Sequence, residues 1–223
     1  MNTKSTVQSK IQLLLKMGIF IFGVAIMLSC ESEGDNPTNA DLQEIEQFLT
    51  PETVQALENI GFNINPGDNP PTIEGTYYAE HILLSTTVPD DPQSPGDTFL
   101  DVTTTFSNQT GSSIFIERFE EGTNTIGEGT GALITGEASV GGTSKFSVFA
   151  KLDQVDGSGH NYTVLTAISG DMLLDSSGNP IRILEYQSAG FMLDNNGNPN
   201  ENLLPNNTGR LLGDENNSAD RID

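Results

Sequence analysis

Hydrophobic and polar positions along the chain fall into two textures. Between residues 42 and 60, Leu42, Ile45, Phe48 and Leu49, then Val54, Leu57 and Ile60, recur every three or four positions, the spacing of one buried helix face. Thr50-Pro51 divides this stretch. Thr50 suits an N-cap, and Pro51 at the first helical position forfeits no hydrogen bond. Asn39 or Asp41 could cap the first helix, and Gly61 suits the position just beyond the second. Two short helices joined at a kink are predicted.

After a proline-rich crossing at 63–71 the period becomes two. Leu100, Val102, Thr104 and Phe106 share one face, and Asp101, Thr103 and Thr105 the other; Phe146, Val148, Ala150 and Leu152 alternate in the same way against Ser147 and Lys151. Strands are predicted over 73–86, 98–106, 113–119, 131–139, 144–152, 162–172 and 181–193, with weaker ones near Thr125 and Arg210. Pro-Gly, Thr-Gly, Gly-Gly, Asp-Gly and Ser-Gly-Asn-Pro turn signals separate them. Seven to nine antiparallel strands behind two short α-helices make the fold all-β. An antiparallel β-barrel is favoured, because closure removes exposed sheet edges, and a β-sandwich is the alternative. The last two long strands are apolar on both faces in places. They should therefore be covered on both sides, with the helices packed on the barrel exterior or plugging one end.

The first 29 residues have a different texture. Lys4, Lys10 and Lys16 precede an apolar run at 17–28, the layout of a secretory signal, and the run is short for a membrane span, which needs roughly 20 apolar residues. Leu28-Ser29-Cys30 then resembles the lipobox of bacterial lipoproteins, with Met27 where that family usually has Leu, Val or Ile. The resemblance implies cleavage before Cys30 and lipid modification of that residue. The organisation read from sequence is thus a lipoprotein signal peptide at 1–29, an acidic tether at 30–40, a short helical segment at 41–62, and a β-barrel domain at 72–223. The barrel ends in a polar, Asn-rich C-terminal segment, with nine Asn among its last 30 residues, the part most prone to be loosely packed.

Composition narrows the function. The chain has 31 acidic and 9 basic side chains, a net charge of −22, which would repel nucleic acid phosphates. Removing 1–29 leaves six basic against 31 acidic groups, a net charge of −25, so contact with an anionic membrane should run through the lipid alone. One Cys allows no internal disulfide, and two His cannot form a three-histidine metal site. Glu31-Ser-Glu-Gly-Asp35 also resembles the short acidic export signal of some Gram-negative surface lipoproteins.

Two broader resemblances concern the body of the chain. Pro70-Pro-Thr-Ile-Glu-Gly-Thr-Tyr77, Phe106-Ser-Asn-Gln109, Lys145-Phe-Ser-Val-Phe149 and Gly190-Phe-Met-Leu-Asp-Asn-Asn-Gly197 resemble landmarks of a group of uncharacterised bacterial envelope lipoproteins. Gly75-Thr-Tyr77, following a helix, is similar to the Gly-x-Trp that opens lipocalin-type barrels, with Tyr in place of Trp. The first implies no activity; the second implies a calycin-like barrel.

No Gly-x-Ser-x-Gly elbow is present, and an acylated Cys30 offers no thiol, so nucleophilic catalysis has little support. Glu80, Glu117 and Glu185 lie within predicted strands and are the acids to watch for a carboxylate-based hydrolase. His160 reads as a turn residue. His81 shares a face with Tyr77 and points inward in a barrel. Tyr77, His81, Phe106, Phe149, Tyr162 and Tyr186 are the candidate ligand-lining residues. No resident cofactor is expected. Closely spaced oxygens at Asp194 and Asn196, and at Asp214, Asn216 and Asp220, would suit calcium, although neither stretch fits an EF-hand loop. The expectation is a non-catalytic, lipid-anchored module of the outer membrane, periplasmic or surface-exposed, holding a small apolar or glycan-like ligand. The alternative is a structural lipoprotein that binds another envelope protein.

Overall fold

Thr50 starts a helix as its position predicts: its Oγ1 accepts the Thr53 N–H at 3.3 Å, and Pro51 follows at the first helical position. In the computed structural model this residue separates α1, Gln43–Phe48, from α2, Pro51–Ile60. Gly61 ends α2 at φ 93°, a left-handed conformation that costs a glycine little. The structure describes residues 42–121, 125–139, 142–155, 158–198, 201 and 203–223. The signal segment, Cys30, the acidic tether and the candidate caps Asn39 and Asp41 lie outside the described residues.

Eleven strands follow: β1 Asp68–Asn69, β2 Gly75–Ala79, β3 His81–Thr86, β4 Val102–Thr110, β5 Ser113–Glu120, β6 Thr125–Glu137, β7 Thr143–Val155, β8 Asn161–Leu174, β9 Pro180–Asp194, β10 Gly209–Asp214 and β11 Ser218–Arg221. All pairings are antiparallel except the short β1–β6 contact. The path β11–β2–β4–β5–β6–β7–β8–β9 returns to β11, closing a ring of eight strands. The favoured barrel therefore holds over the sandwich alternative.

Closure depends on two matched interruptions. The predicted strand 73–86 breaks at Glu80 into β2 and β3, and the facing strand breaks at Glu215–Asn217 into β10 and β11. Asp214 spans both breaks. Its Oδ2 accepts the Glu80 N–H at 2.7 Å, and its Oδ1 accepts the N–H groups of Asn216 at 2.9 Å and Ser218 at 3.3 Å. The C-terminal segment, which composition marks as prone to be loose, thus supplies β11, which completes the ring, and β10, which pairs with β3 and β9.

The long strands bury both faces, for the reason their patterning suggested. Inward, Tyr77, Phe106, Ile116, Ile134, Phe146, Val148, Ile168, Met172 and Ile183 belong to one apolar cluster. Outward, Leu133, Phe149, Leu165, Ala167, Ala189 and Phe191 meet Ile45, Val54, Leu57 and Ile60 of the two helices and Leu49 between them. The helices pack on the exterior and do not plug an end. The described residues form one compact unit.

Candidate functional site

Side chains directed into the barrel sort, by register, into a filled half and an open half. The filled half lies towards the β4–β5, β6–β7 and β8–β9 hairpins. There Tyr77, Phe106, Phe146, Val148 and their neighbours in the inner cluster are each no more than 2% exposed. Tyr77 donates its hydroxyl proton to Ile73 O at 3.0 Å and packs its ring 6.0 Å from Phe106.

Above this plug runs a polar belt of buried His81, Thr104, Tyr186 and Ser188. His81 Nε2 lies 3.2 Å from the Tyr186 hydroxyl, and the two rings stack with centroids 5.9 Å apart. Burial, and secondarily the positive charge of Arg118, pushes the His81 pKa down to about 3, so the imidazole is neutral. Burial likewise pushes the Tyr186 hydroxyl up, with Arg118 acting in the opposite sense. The belt is therefore an uncharged hydrogen-bonding floor.

The open half is a cup of about 300 Å³ at the other end of the barrel, small for a ligand site but within the usual range. Its wall carries Leu152, Val164, Met192 and Leu212 as apolar surface, Thr166 and Ser188 as hydroxyls, and Arg118, Glu120 and Gln154 as stronger polar groups. Phe99 and Leu204 reach it from the β3–β4 and β9–β10 connections. Gly190 leaves space in the wall, where a Cβ would meet nothing within 4 Å.

One rim of the cup is fixed by a second arginine. Arg210 Nε and Nη2 donate to the two carboxylate oxygens of Asp91, each at 2.8 Å, and its guanidinium lies 5.3 Å from the centre of the Phe99 ring. This bidentate pair joins β10 to the long β3–β4 connection and holds the Asp91 carboxyl well below the usual range. Arg118 is different. Its Nε is fully buried and has no hydrogen-bond partner among the described residues.

The structure brings some of the sequence-predicted residues together and separates others. His81 and Tyr186 meet in the belt beneath the cup. Tyr77 and Phe106 lie in the plug. Phe149 points outward and meets Phe62 edge-on at 6.2 Å, under the helices. Tyr162 lines a shallow depression with Asp153, Asp194 and Asn196. His160 Nε2 lies 2.9 Å from Asn195 O, beyond β9. The lining residues Arg118, Leu152, Val164 and Met192 carry a signal that alternation exposes. Arg118 has the parity of Ile114 and Ile116, so β5 directs a cation towards the same side as its buried isoleucines.

Glu80, Glu117 and Glu185 are all exposed, so no pair of them forms a cleft inside the barrel. The oxygen-rich turns have their oxygens engaged within the protein, by backbone N–H groups or by side chains. Asp194 Oδ1 accepts the Asn196 N–H at 2.8 Å, Asp214 serves the closure seam, Asn216 Oδ1 accepts from Ser218 Oγ, and Asp220 pairs with Arg182 at 2.9 Å. Among the described residues, no group of three or more His, Cys, Asp or Glu side chains is placed to hold a metal ion. No helix among them is long and apolar enough to cross a membrane. No family model, curated protein or solved structure matches the chain, and nothing in those comparisons identifies an enzyme family.

Proposed function

We propose that this chain is a lipid-anchored lipoprotein of the cell envelope that holds a small ligand in the mouth of its β-barrel. The observation that carries the reading is the contrast between the two halves of the interior. One half is packed with aromatic and branched side chains, whereas the other is a cup of about 300 Å³ with a mixed apolar and polar wall. A barrel that served only as a structural core would gain from filling that space, since unfilled volume forfeits packing contacts. The plug restricts the ligand to the mouth, and an apolar wall with few polar groups is the usual make-up of a small-molecule site.

The anchor in this reading is acylated Cys30, with the acidic residues after it as a solvated tether to the outer membrane, facing the periplasm or the cell surface. Each buried CH2 of an acyl chain adds about 0.8 kcal/mol, so several chains on one residue hold firmly. Metabolic labelling with an alkynyl fatty acid should mark the wild-type protein and leave Cys30→Ser unmarked. Equal labelling of both would remove the anchor from the account.

Native mass spectrometry tests the ligand. The soluble chain 31–223 retains every described residue. Purified from the cells that make it, it should carry a small adduct that an organic extract then identifies. A consistently bare mass would favour the alternative, in which the acidic exterior binds another envelope protein.

A further inference from the structure

We propose that the ligand of the cup is an amphipathic monocarboxylate, with its carboxylate on the Arg118 guanidinium and its apolar body against Leu152, Val164, Met192 and Leu212; this rests on the cup being the binding site. The first observation is a selective lack of pairing. Six basic side chains are described, and five have partners. Lys145 pairs with Asp171, Arg182 with Asp220, Arg210 with Asp91 and Arg221 with Asp223, while Lys151 donates to Phe48 O. In a chain with 31 acids a counter-ion is easily found, yet among the described residues Arg118 makes no ion pair and its buried Nε has no acceptor. An unpaired buried donor lowers stability, and Arg118, the residue that carries it, lines the cup.

The second observation is the chemistry around it. A guanidinium presents a planar fork that matches a carboxylate through two parallel hydrogen bonds. The apolar wall supplies what a bare inorganic anion cannot use. Glu120, on the same face of β5 two residues along, also lines the cup. A dianionic head such as a phosphate monoester would set its second charge against Glu120 and against the net −22 of the chain. One negative charge on an apolar body is the chemistry that fits.

Calorimetric titration of the soluble chain 31–223 with octanoate and 1-octanol, and with 4-phenylbutyrate and 4-phenylbutanol, tests this. Each acid should bind at least tenfold more tightly than its alcohol. Arg118→Gln should reduce the acid to the affinity of the alcohol and leave the alcohol unchanged. Glu120→Gln should tighten the acid, because it removes the like charge. Equal affinity for acid and alcohol in the wild-type chain overturns the carboxylate assignment and leaves the cup standing, and that comparison needs no variant to fold. A tighter acid that is insensitive to Arg118→Gln, with circular dichroism unchanged, overturns the role of Arg118. If none of the four compounds binds, the cup itself is not the site and both readings fall.

Discussion

His81 and Tyr186 stack inside the barrel, the imidazole Nε2 3.2 Å from the phenol oxygen, and this pair divides the filled half of the interior from the open one. It is made of two side chains 105 residues apart in sequence, one on β3 and the other on β9, so it also ties distant parts of the domain's sequence together.

Because His81 is held neutral, its titration makes the fold acid-sensitive. Its pKa falls from 6.5 to about 3 on folding, chiefly through burial. The unfolded chain therefore binds a proton that the folded chain does not, and stability drops as the pH falls from about 6.5 towards 3. The slope from one such group approaches about 1.4 kcal/mol per pH unit. Urea unfolding midpoints at pH 7, 6, 5 and 4 should fall steadily for the wild-type protein. His81→Gln, which cannot titrate, should fall less between pH 6 and 4. Parallel profiles would mean that His81 is not buried as described.

The Asp214 carboxylate accepts three backbone N–H groups where the ring closes, and the residue is only 5% exposed. Asp214→Ala should lower unfolding free energy by roughly 2–4 kcal/mol, since it leaves buried donors unpaired. Asp214→Asn, which keeps one acceptor oxygen, should lose less. Amide exchange should report where the damage lies. Faster exchange at Glu80 and Ser218, with little change in β7 and β8, is the expected pattern.

Leu57 is fully buried between α2 and the outer face of the barrel. Leu57→Ala should cost about 2–5 kcal/mol by the usual scale for such cavities. Ligand binding should be unaffected, because the helices cover the exterior and contribute no residue to the cup beyond the wall they support. A loss of affinity without a loss of stability would place the site at the helix–barrel boundary instead.

Much of this architecture was legible in the residues. Thr50-Pro51 and Gly61 carry local cap chemistry, and Phe146 to Leu152 alternate cleanly, so helix ends and strand faces follow from short-range rules. Double-sided burial in β8 and β9 announced that something covers the barrel, and the helices do. The break at Glu80 was not legible, because alternation runs through it in phase: Tyr77, Ala79, His81 and Leu83 all point inward. Only the partner strand, 134 residues away at Asp214, shows why the chain is interrupted there. The Asn-rich tail concealed β11 and left β10 only weakly signalled near Arg210, since their burial comes from long-range pairing and not from composition. The site was legible in part. His81 could be placed inward by parity, whereas Phe149 has the parity opposite to Phe146 and Val148 and faces the helices. Parity sorts side chains by face but not by height along the barrel, so it cannot separate plug from cup.

The most direct test of the cup is to fill it. Gly190 has ordinary backbone dihedrals and open space where its Cβ would stand, so Gly190→Leu places a side chain in the cavity without straining the strand. Native mass spectrometry of wild-type protein and Gly190→Leu, each taken from the cells that produce it, gives the comparison. The account predicts an adduct on the wild-type chain and a bare mass for Gly190→Leu, with thermal stability equal or higher. The same adduct on both proteins, at the same occupancy, would contradict it.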